Sequence, residues 1–212
     1  MDTKALTLGL EALGLGPTPG QIDQFKAYAA LLLRWNKTYN LTAIRHESEV
    51  LTHHLLDSAA IVPHIAQEAP NAKTVLDVGS GGGLPAVPIA ILRPDLKVLA
   101  VDAVGKKSAF INQVAIDLGL RNLSAKHARV ESLQNTFDVI TSRAFATMHD
   151  FTVLTRTLAG KDTRWLAMKA LRPEAELADL PEFVCVKKTI KLDIPNLNEE
   201  RCLVVLGLAE TL

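Results

Sequence analysis

Residues 74–91, with the sequence TVLDVGSGGGLPAVPIAI, constrain the fold more than any other part of the chain. Val75, Leu76 and Val78 form an apolar run of the length expected for a buried strand. A second apolar run, typical of a helix, begins at Leu84. Four glycines lie between the two runs, and glycine permits positive φ and close approach to the main chain. The segment therefore predicts a strand, a glycine-rich turn and a helix, the arrangement with which α/β folds hold a nucleotide cofactor.

Two families of cofactor site use such a turn. Gly81, Gly83 and Ala86 match the G-x-G-x-x-G/A fingerprint of dinucleotide-binding folds. Counting from Gly79 instead gives G-x-G-x-G directly after the strand, with Asp77 two residues before the first glycine. This second frame resembles the first motif of class I S-adenosylmethionine (SAM) methyltransferases. Both frames fit the sequence, so other residues must separate them.

Two acidic residues bear on the choice of cofactor. Asp102, at the end of the next predicted strand, suits the ribose hydroxyls of either cofactor and therefore does not distinguish a SAM site from a dinucleotide site. Asp77 favours SAM, because its carboxylate complements the cationic amino-acid end of SAM and would repel a pyrophosphate. The residues therefore favour a SAM site over a dinucleotide site.

The composition is that of a globular protein with no large excess of charge. The 212 residues are 48% hydrophobic and 22% charged, which is enough for a substantial core without a metal or disulfide. Because 23 basic residues balance 23 acidic ones, binding to a polyanion must depend on a local patch. Cys185 and Cys202 lack C-x-x-C spacing, so we expect buried thiols and no metal site. The first residues lack a basic segment followed by a cleavable apolar core, so we expect no signal peptide, and no run reaches about 18 apolar residues. We expect a monomeric, cytoplasmic protein without a membrane partner.

The first part of the chain, residues 1–68, shows helical patterns alone and predicts an N-terminal helical region. One helix is expected over about residues 3–13. A second begins with Thr18 as N-cap and a proline in its first turn. A third is expected to begin with Ser48 as N-cap and to be interrupted by Pro63.

From residue 73 onward, strands and helices alternate, as in a mostly parallel sheet covered on both faces. Seven strands are predicted, over residues 73–79, 97–103, 122–128, 137–143, 163–169, 183–192 and 201–208, with helices at about 85–93, 105–118, 148–159 and 174–179. No helix-length insert separates the last two strands, so they should pair antiparallel at an edge. The pattern resembles the Rossmann-like sheet of class I SAM methyltransferases. We therefore predict an α/β fold with an N-terminal helical extension and a methyltransferase domain over residues 69–212.

An open α/β sheet binds its ligand at the carboxyl ends of its strands. After the third predicted strand, Val130 and Glu131 are placed to contact an adenine, by apolar contact and by hydrogen bonding. After the fourth comes SRAF, residues 142–145, which in a methyltransferase borders both the methyl donor and the acceptor. Arg143 can donate two hydrogen bonds to guanine O6 or to a phosphate, and the alternative is a structural salt bridge.

The SRAF segment also limits the reaction. Enzymes that methylate the exocyclic amine of adenine usually carry Asn/Asp-Pro-Pro-aromatic there, which this chain lacks. Methylation at pyrimidine C5 needs a cysteine nucleophile, and both cysteines lie in late strand patterns. A ring nitrogen such as guanine N7 already has a lone pair, so its methylation needs alignment and no covalent intermediate. A ring-nitrogen acceptor is therefore favoured.

Four motifs, RWNKTYNLTAI, HHLLDS, DVGSGGGLPAVPIAI and SRAF, together resemble the bacterial small-subunit ribosomal RNA guanine-N7 methyltransferase family, also called the glucose-inhibited division protein B family. The resemblance runs from Leu31 to Val205. It implies SAM-dependent methylation of N7 of one guanine in 16S rRNA near the decoding centre. The implied cofactor-binding residues are Asp77, Gly79, Gly81, Gly83, Leu84, Asp102, Val130, Glu131 and Arg143, and Arg143 is also the expected catalytic residue.

Further polar residues are expected to bind the substrate, which would be 16S rRNA or the small ribosomal subunit. His54 and Asp57 lie three residues apart on one predicted helical face, and the resemblance places them at the substrate mouth. The alternative for these two is a structural pair that docks the N-terminal helices. Basic residues between 106 and 129 form a candidate phosphate patch. Lys106, Lys107, Lys169 and Arg201 are the cations expected to contact the substrate.

Two other functions stay open at this point. The chain could be a SAM-dependent methyltransferase acting on another RNA or on a small molecule. It could also be a non-catalytic ribosome-assembly factor that has kept a methyltransferase fold, and would then bind SAM or RNA without turnover.

Overall fold

A seven-stranded sheet forms the centre of the computed structural model, which describes residues 1–44, 46–170 and 173–209. The strands are β1 (Thr74–Val78), β2 (Lys97–Asp102), β3 (Leu123–His127), β4 (Phe137–Arg143), β5 (Ala159–Lys169), β6 (Val184–Leu192) and β7 (Arg201–Leu208). Their order is β3-β2-β1-β4-β5-β7-β6. Strands β1 to β5 are parallel, and β7 lies antiparallel between β5 and the edge strand β6. The seven predicted strands and the antiparallel pairing of the last two are confirmed.

Two helices open the chain, α1 (Thr3–Ala12) and α2 (Pro19–Tyr39). The predicted N-cap of α2 is confirmed, and it forms a capping box: Gln21 N donates to Thr18 Oγ1 at 3.3 Å, and Thr18 N donates to Gln21 Oε1 at 2.9 Å. The helix ends at Asn40, which adopts the left-handed conformation with φ 49°. The cap therefore fixes the start of the longest helix in the described chain.

The third helical stretch is less regular than predicted. It consists of α3 (Glu47–Glu49), a π-helical segment (Val50–Leu56) and α4 (Asp57–Ala59), and α5 (Val62–Glu68) follows after a turn. The prediction of Ser48 as N-cap is wrong, because the N-cap is His46, which makes no side-chain capping bond. Acidic side chains in the first turn complement the helix dipole instead. Pro63 lies in the first turn of α5, so the predicted interruption is confirmed.

After β1, the described residues form four further α-helices, α6 (Ala86–Leu92), α7 (Gly105–Asp117), α8 (Met148–Leu154) and α9 (Glu174–Ala178). The predicted helix over 148–159 is too long, since α8 ends at Leu154, a 3-10 turn covers Arg156–Leu158, and β5 begins at Ala159. Thr155 explains the early end. Its hydroxyl donates to Phe151 O at 2.6 Å and accepts a bond from Trp165 Nε1 at 2.8 Å, which ties the helix end to the next strand.

The N-terminal helices and one face of the sheet share a continuous hydrophobic core, which includes Leu6, Phe25, Leu32, Val75 and Val139. A second cluster, which includes Phe151 and Trp165, lies on the other face of the sheet. The boundary between residues 68 and 69 stays a prediction, and residues 210–212 of the predicted second region lie outside the described residues. Within the described ranges, no helix has the length and apolar character needed to cross a membrane.

Candidate cofactor and substrate site

A cavity of about 730 Å³ opens where β1, β4 and β5 end and β7 begins. It is lined by the glycine-rich loop after β1, by the π-helical segment, and by residues that follow β4 and β5. This is the edge of the sheet at which an open α/β fold binds ligands. Its charged lining residues are Asp57, Arg143, Lys169, Glu176 and Arg201.

The glycine-rich loop has a geometry that only glycine allows at two positions. Gly79 has φ 69°, and a Cβ there would lie 2.6 Å from Phe145 Cδ2. Gly83 has φ 87°, and a Cβ there would lie 2.6 Å from Val87 Cγ2. The loop turns tightly back over the sheet, because Gly79 N donates to Val101 O at 2.9 Å. Gly79, Ser80, Gly81 and Leu84 of this loop line the large cavity, whereas Gly83 packs against Val87 of α6.

Asp77 lies behind this loop and is fully buried. Its Oδ2 accepts a bond from Ala86 N at 3.2 Å, and its main-chain oxygen accepts one from Ser80 Oγ at 2.9 Å. Its Oδ1 has no hydrogen-bond partner among the described residues. Burial raises the pKa of Asp77 to about 7, although the bond from Ala86 acts in the opposite direction. Asp77 therefore orders the loop and keeps one carboxylate oxygen with unused bonding capacity.

Asp102 joins the end of β2 to the same loop. Its Oδ2 accepts a bond from Gly81 N at 3.0 Å, and its Oδ1 accepts one from Val104 N at 2.8 Å. Lys107 Nζ lies 3.7 Å from Oδ2. The predicted cofactor residue Asp102 is thus adjacent to the predicted glycine loop, and Lys107 lies beside it.

A smaller cavity of about 140 Å³ lies on the far side of Gly79. It is lined by Asp102, by the buried Val130 and by the exposed Glu131, and Phe145 borders it as well. The structure therefore brings the predicted adenine-side residues together next to the loop. Lys106, in contrast, is exposed on α7 and lines neither of these two cavities.

Arg143, at the end of β4, connects the sheet to the helical segment. Its Nη1 donates to His53 O and to Asp57 Oδ2, both at 2.8 Å, and its Nη2 lies 3.4 Å from His54 Nδ1. Arg201 Nε lies 3.3 Å from Asp57 Oδ1 on the other side of the carboxylate. Arg143 therefore lines the cavity and forms a salt bridge at the same time. The structural salt bridge is therefore confirmed, and the contact of Arg143 with a guanine or a phosphate stays a prediction.

His54 is buried beside Arg143, and its contact with Asp57 runs through that arginine. Its Nε2 is 2.6 Å from Thr42 Oγ1, in a loop that sequence analysis did not assign to the site. Burial, and then the Arg143 charge, lower the pKa of His54 to about 4. The imidazole is therefore neutral at physiological pH. His53 is half-buried, lines the cavity, and lies 3.4 Å from Glu199 Oε1 through its Nε2.

Lys169 and Glu176 form the wall that follows β5. Lys169 Nζ donates to Glu176 Oε2 at 2.8 Å and to Ala146 O at 3.1 Å. Glu176 Oε2 also accepts a bond from Met148 N at 2.7 Å, which fixes the start of α8. Sequence analysis missed Glu176. Its position seven residues after Lys169, in a short acidic helix, was the available signal.

Comparison with known proteins gives a consistent family. A family model described as rRNA small subunit methyltransferase G matches residues 21–204. Proteins named ribosomal RNA small subunit methyltransferase G are 46% identical over 203 residues in Neisseria meningitidis serogroup A (95% of this chain, 96% of the relative) and 49% identical over 213 residues in Ralstonia nicotianae (97% and 96%).

Solved structures agree on the fold. Magnesium protoporphyrin IX methyltransferase from Synechocystis, solved with bound SAM, has a TM-score of 0.59 at 17% identity over 81% of this chain and 89% of that chain. TrmN from Thermus thermophilus has a TM-score of 0.58 at 16% identity over 75% of this chain and 53% of that chain. The predicted Rossmann-like methyltransferase fold is confirmed. The match over residues 21–204 and the near-complete coverage of relatives place this chain in the rRNA small subunit methyltransferase G family.

Proposed function

We propose that this chain transfers the methyl group of SAM to N7 of one guanine in 16S rRNA, near the decoding centre. The observation that carries the proposal is the large cavity in which the glycine-rich loop and Arg143 face the same space. Membership of the family supports the rRNA substrate. The preference for a ring nitrogen follows from the SRAF segment and from the positions of both cysteines in late strands. Cys202 does line the cavity, but it is a buried thiol in β7.

The residues present fit SAM. Asp77 Oδ1 has unused bonding capacity, which matches the ammonium of the methionine end. Gly79 and Gly81 expose main chain to the large cavity, Gly83 allows the tight packing that shapes the loop, and Val130 offers an apolar surface in the smaller cavity. The residues proposed to hold SAM are Asp77, Gly79, Gly81, Gly83, Leu84, Asp102, Val130, Glu131 and Arg143. When bound, SAM supplies an electrophilic methyl group on a sulfonium.

The residues of the chain have to align the acceptor and exclude water, because guanine N7 carries its own lone pair and needs no general base. His54 is suited to this role as a neutral, buried side chain that packs against Arg143. The guanidinium of Arg143 is held by Asp57 and by His53 O, so its position at the cavity is fixed before the substrate binds. Arg143 is therefore proposed as the catalytic residue.

Contacts with rRNA are proposed on two surfaces. His54, Asp57, Lys169 and Arg201 line the cavity, where the target base would lie. Lys106 and Lys107 lie in the first turn of α7, where they can contact phosphates, and Lys107 lies beside Asp102 of the smaller cavity. We further propose that the protein acts as a monomer. An rRNA substrate supports a cytoplasmic location.

The test is transfer of labelled methyl from SAM to 16S rRNA and to small subunits from a strain that lacks this modification. Borohydride and aniline treatment then cleaves the RNA at N7-methylguanosine. Cleavage at one guanine is the expected result. Incorporation without cleavage would contradict N7 as the acceptor, and no incorporation into any ribosomal substrate would contradict the proposal as a whole.

An Arg143→Ala variant separates the enzyme from a non-catalytic assembly factor. We expect a loss of at least about 100-fold in methyl transfer, because a small displacement of an aligned group costs that much. If the protein acts only as a scaffold, the growth of the strain should not change when methyl transfer is lost. Growth of the variant strain and its 16S rRNA modification are measured together.

A further inference from the structure

The Lys169–Glu176 pair presents a cation and a carboxylate side by side to the large cavity. Lys169 Nζ lies 2.8 Å from Glu176 Oε2 and 3.1 Å from Oε1, and both residues line the cavity. The pair is held in place from outside, by Ala146 O on the lysine and by Met148 N on the glutamate. A donor and an acceptor thus lie next to each other in the wall of the cavity.

Guanine has a matching pattern along its Watson–Crick edge. O6 accepts a hydrogen bond, and the neighbouring N1–H and N2–H₂ donate. An ammonium donates only, and an ionised carboxylate accepts only. Lys169 therefore complements O6, and Glu176 complements the two N–H groups. Adenine reverses the first two positions, because its N6–H₂ donates and its N1 accepts, so it would place a donor against the ammonium and an acceptor against the carboxylate.

Glu176 also has the bonding capacity that this role needs. A carboxylate offers about four acceptor sites. Oε2 accepts from Met148 N and Lys169 Nζ, and Oε1 accepts from Lys169 at 3.1 Å. When the ammonium turns toward O6, Oε1 is available to a base. The other carboxylate that lines the described cavity, Asp57, is 3% exposed and lies between Arg143 and Arg201.

We propose that Lys169 and Glu176 together select guanine as the acceptor base, Lys169 at O6 and Glu176 at N1–H and N2–H₂. The inference rests on the proposed function and assigns base specificity within it. N7 belongs to the other ring of the purine, away from N1 and N2. A guanine held by its Watson–Crick edge at this wall therefore keeps N7 available to the rest of the cavity, which includes the glycine-rich loop.

The experiment removes one hydrogen-bonding group from each side. Small subunits are assembled with 16S rRNA that carries either guanosine or inosine, which lacks the 2-amino group, at the target position. The wild-type protein and Glu176→Gln are compared by kcat/KM for methyl transfer. A bond to a charged group contributes about 1.5–3 kcal/mol, so the wild type should prefer guanosine by about 10- to 150-fold. In Glu176→Gln, the preference should fall to within about twofold, because the two changes then affect the same contact.

Two further measurements separate specificity from folding. Glutamine can still accept from Met148 N, so thermal unfolding and SAM affinity of Glu176→Gln should stay close to the wild type. Glu174→Gln, an exposed position in the same helix, is the matched control and should keep the full preference for guanosine. If Glu176→Gln does not fold, Glu176→Asp keeps the charge and shortens its reach, and its preference should also fall.

Each outcome decides the matter. Equal methylation of guanosine and inosine by the wild type overturns the inference, and this result does not depend on any variant. A preference that persists in Glu176→Gln also overturns it, because Glu176 would then have only its structural bonds. Absence of methyl transfer to the guanosine subunits overturns the proposed function itself, which makes the two failures distinguishable.

Discussion

Tyr28 is the contact through which the N-terminal helices reach the glycine-rich loop. It is fully buried in α2, and its hydroxyl donates to Gly82 O at 2.6 Å. The same helix also touches the loop through Leu32, whose Cδ1 lies 3.0 Å from the position that a Cβ on Gly82 would take. Tyr28→Phe keeps the ring, which packs 6.5 Å from that of Phe110, and removes only the hydroxyl. The variant therefore isolates one hydrogen bond between the helix and the loop.

Two magnitudes follow from that bond. A buried carbonyl left without its donor costs about 1–3 kcal/mol, so the free energy of unfolding should fall by that amount. The loop also regains freedom around Gly82, and fixing the backbone of one residue again costs about 1–2 kcal/mol. The dissociation constant for SAM should therefore rise by about 5- to 30-fold. Urea unfolding followed by circular dichroism and titration calorimetry measure the two effects.

Tyr39→Phe is the matched control, since the chain has two tyrosines and Tyr39 lies on the same helix at 39% exposure. It should change neither quantity appreciably. A Tyr28→Phe variant that loses stability but keeps the SAM affinity of the wild type would show that the hydroxyl supports helix packing alone. An unchanged stability would refute the assigned strength of the bond.

Three other residues give separate expectations. Gly79→Ala should lower the melting temperature and weaken SAM binding, since an L-residue at φ 69° costs about 1–2 kcal/mol and the new Cβ meets Phe145. Adding Phe145→Ala should recover the part of the lost stability that comes from the clash. Losses of stability that simply add in the double variant would contradict this. Asp77→Asn should become progressively more stable than the wild type as pH rises from about 4 to about 7, because the folded state holds a proton on Asp77 that the unfolded chain, with its ordinary pKa of 3.8, has released. Urea titrations at pH 5 and pH 8 measure the difference in unfolding free energy between the variant and the wild type. The opposite contribution of His54 is the same in both proteins and cancels from this difference. A difference that does not change with pH would contradict the prediction. Lys106→Ala should reduce the slope of log K for rRNA against log salt by about 1, measured by filter binding, whereas an unchanged slope would remove Lys106 from the phosphate contacts.

The parts of the fold that could be predicted from the sequence are those set by local patterns. The buried strand, the glycines and the helix of residues 74–91 follow from short-range periodicity and from the conformational range of glycine. The early end of α8 did not, because it depends on the contact between Thr155 and Trp165, which lies ten residues away on the next strand. The π-helical segment likewise has no pattern that separates it from an ordinary helix in the sequence.

For the site, too, the residues that follow from local patterns could be predicted and those that depend on distant contacts could not. The rule that ligands lie at the carboxyl ends of strands predicted the positions of Asp102 and Arg143, because strand ends can be read from the sequence. Glu176 was missed because its place in the wall depends on where α9 returns to Lys169 and to the start of α8. Lys106 was predicted only because basic residues are frequent in this part of the sequence. Such a frequency gives no information about how far a residue lies from a cavity.

Asp57 shows why the structural and functional roles of the cavity wall cannot be separated. It lies in the helical segment, while Arg143 comes from β4 and Arg201 from β7, so one carboxylate joins three parts of the chain. Loss of the carboxylate would leave two guanidinium groups close together without their shared counter-charge, and they would repel each other. The side chains that hold the wall together are thus also those that set its charge. Leaving the histidines aside, three cations and two carboxylates line the described cavity, a net charge of +1 on a chain with no net charge. The cavity wall thus carries a small excess of positive charge, which suits a polyanion and adds to the basic residues of α7.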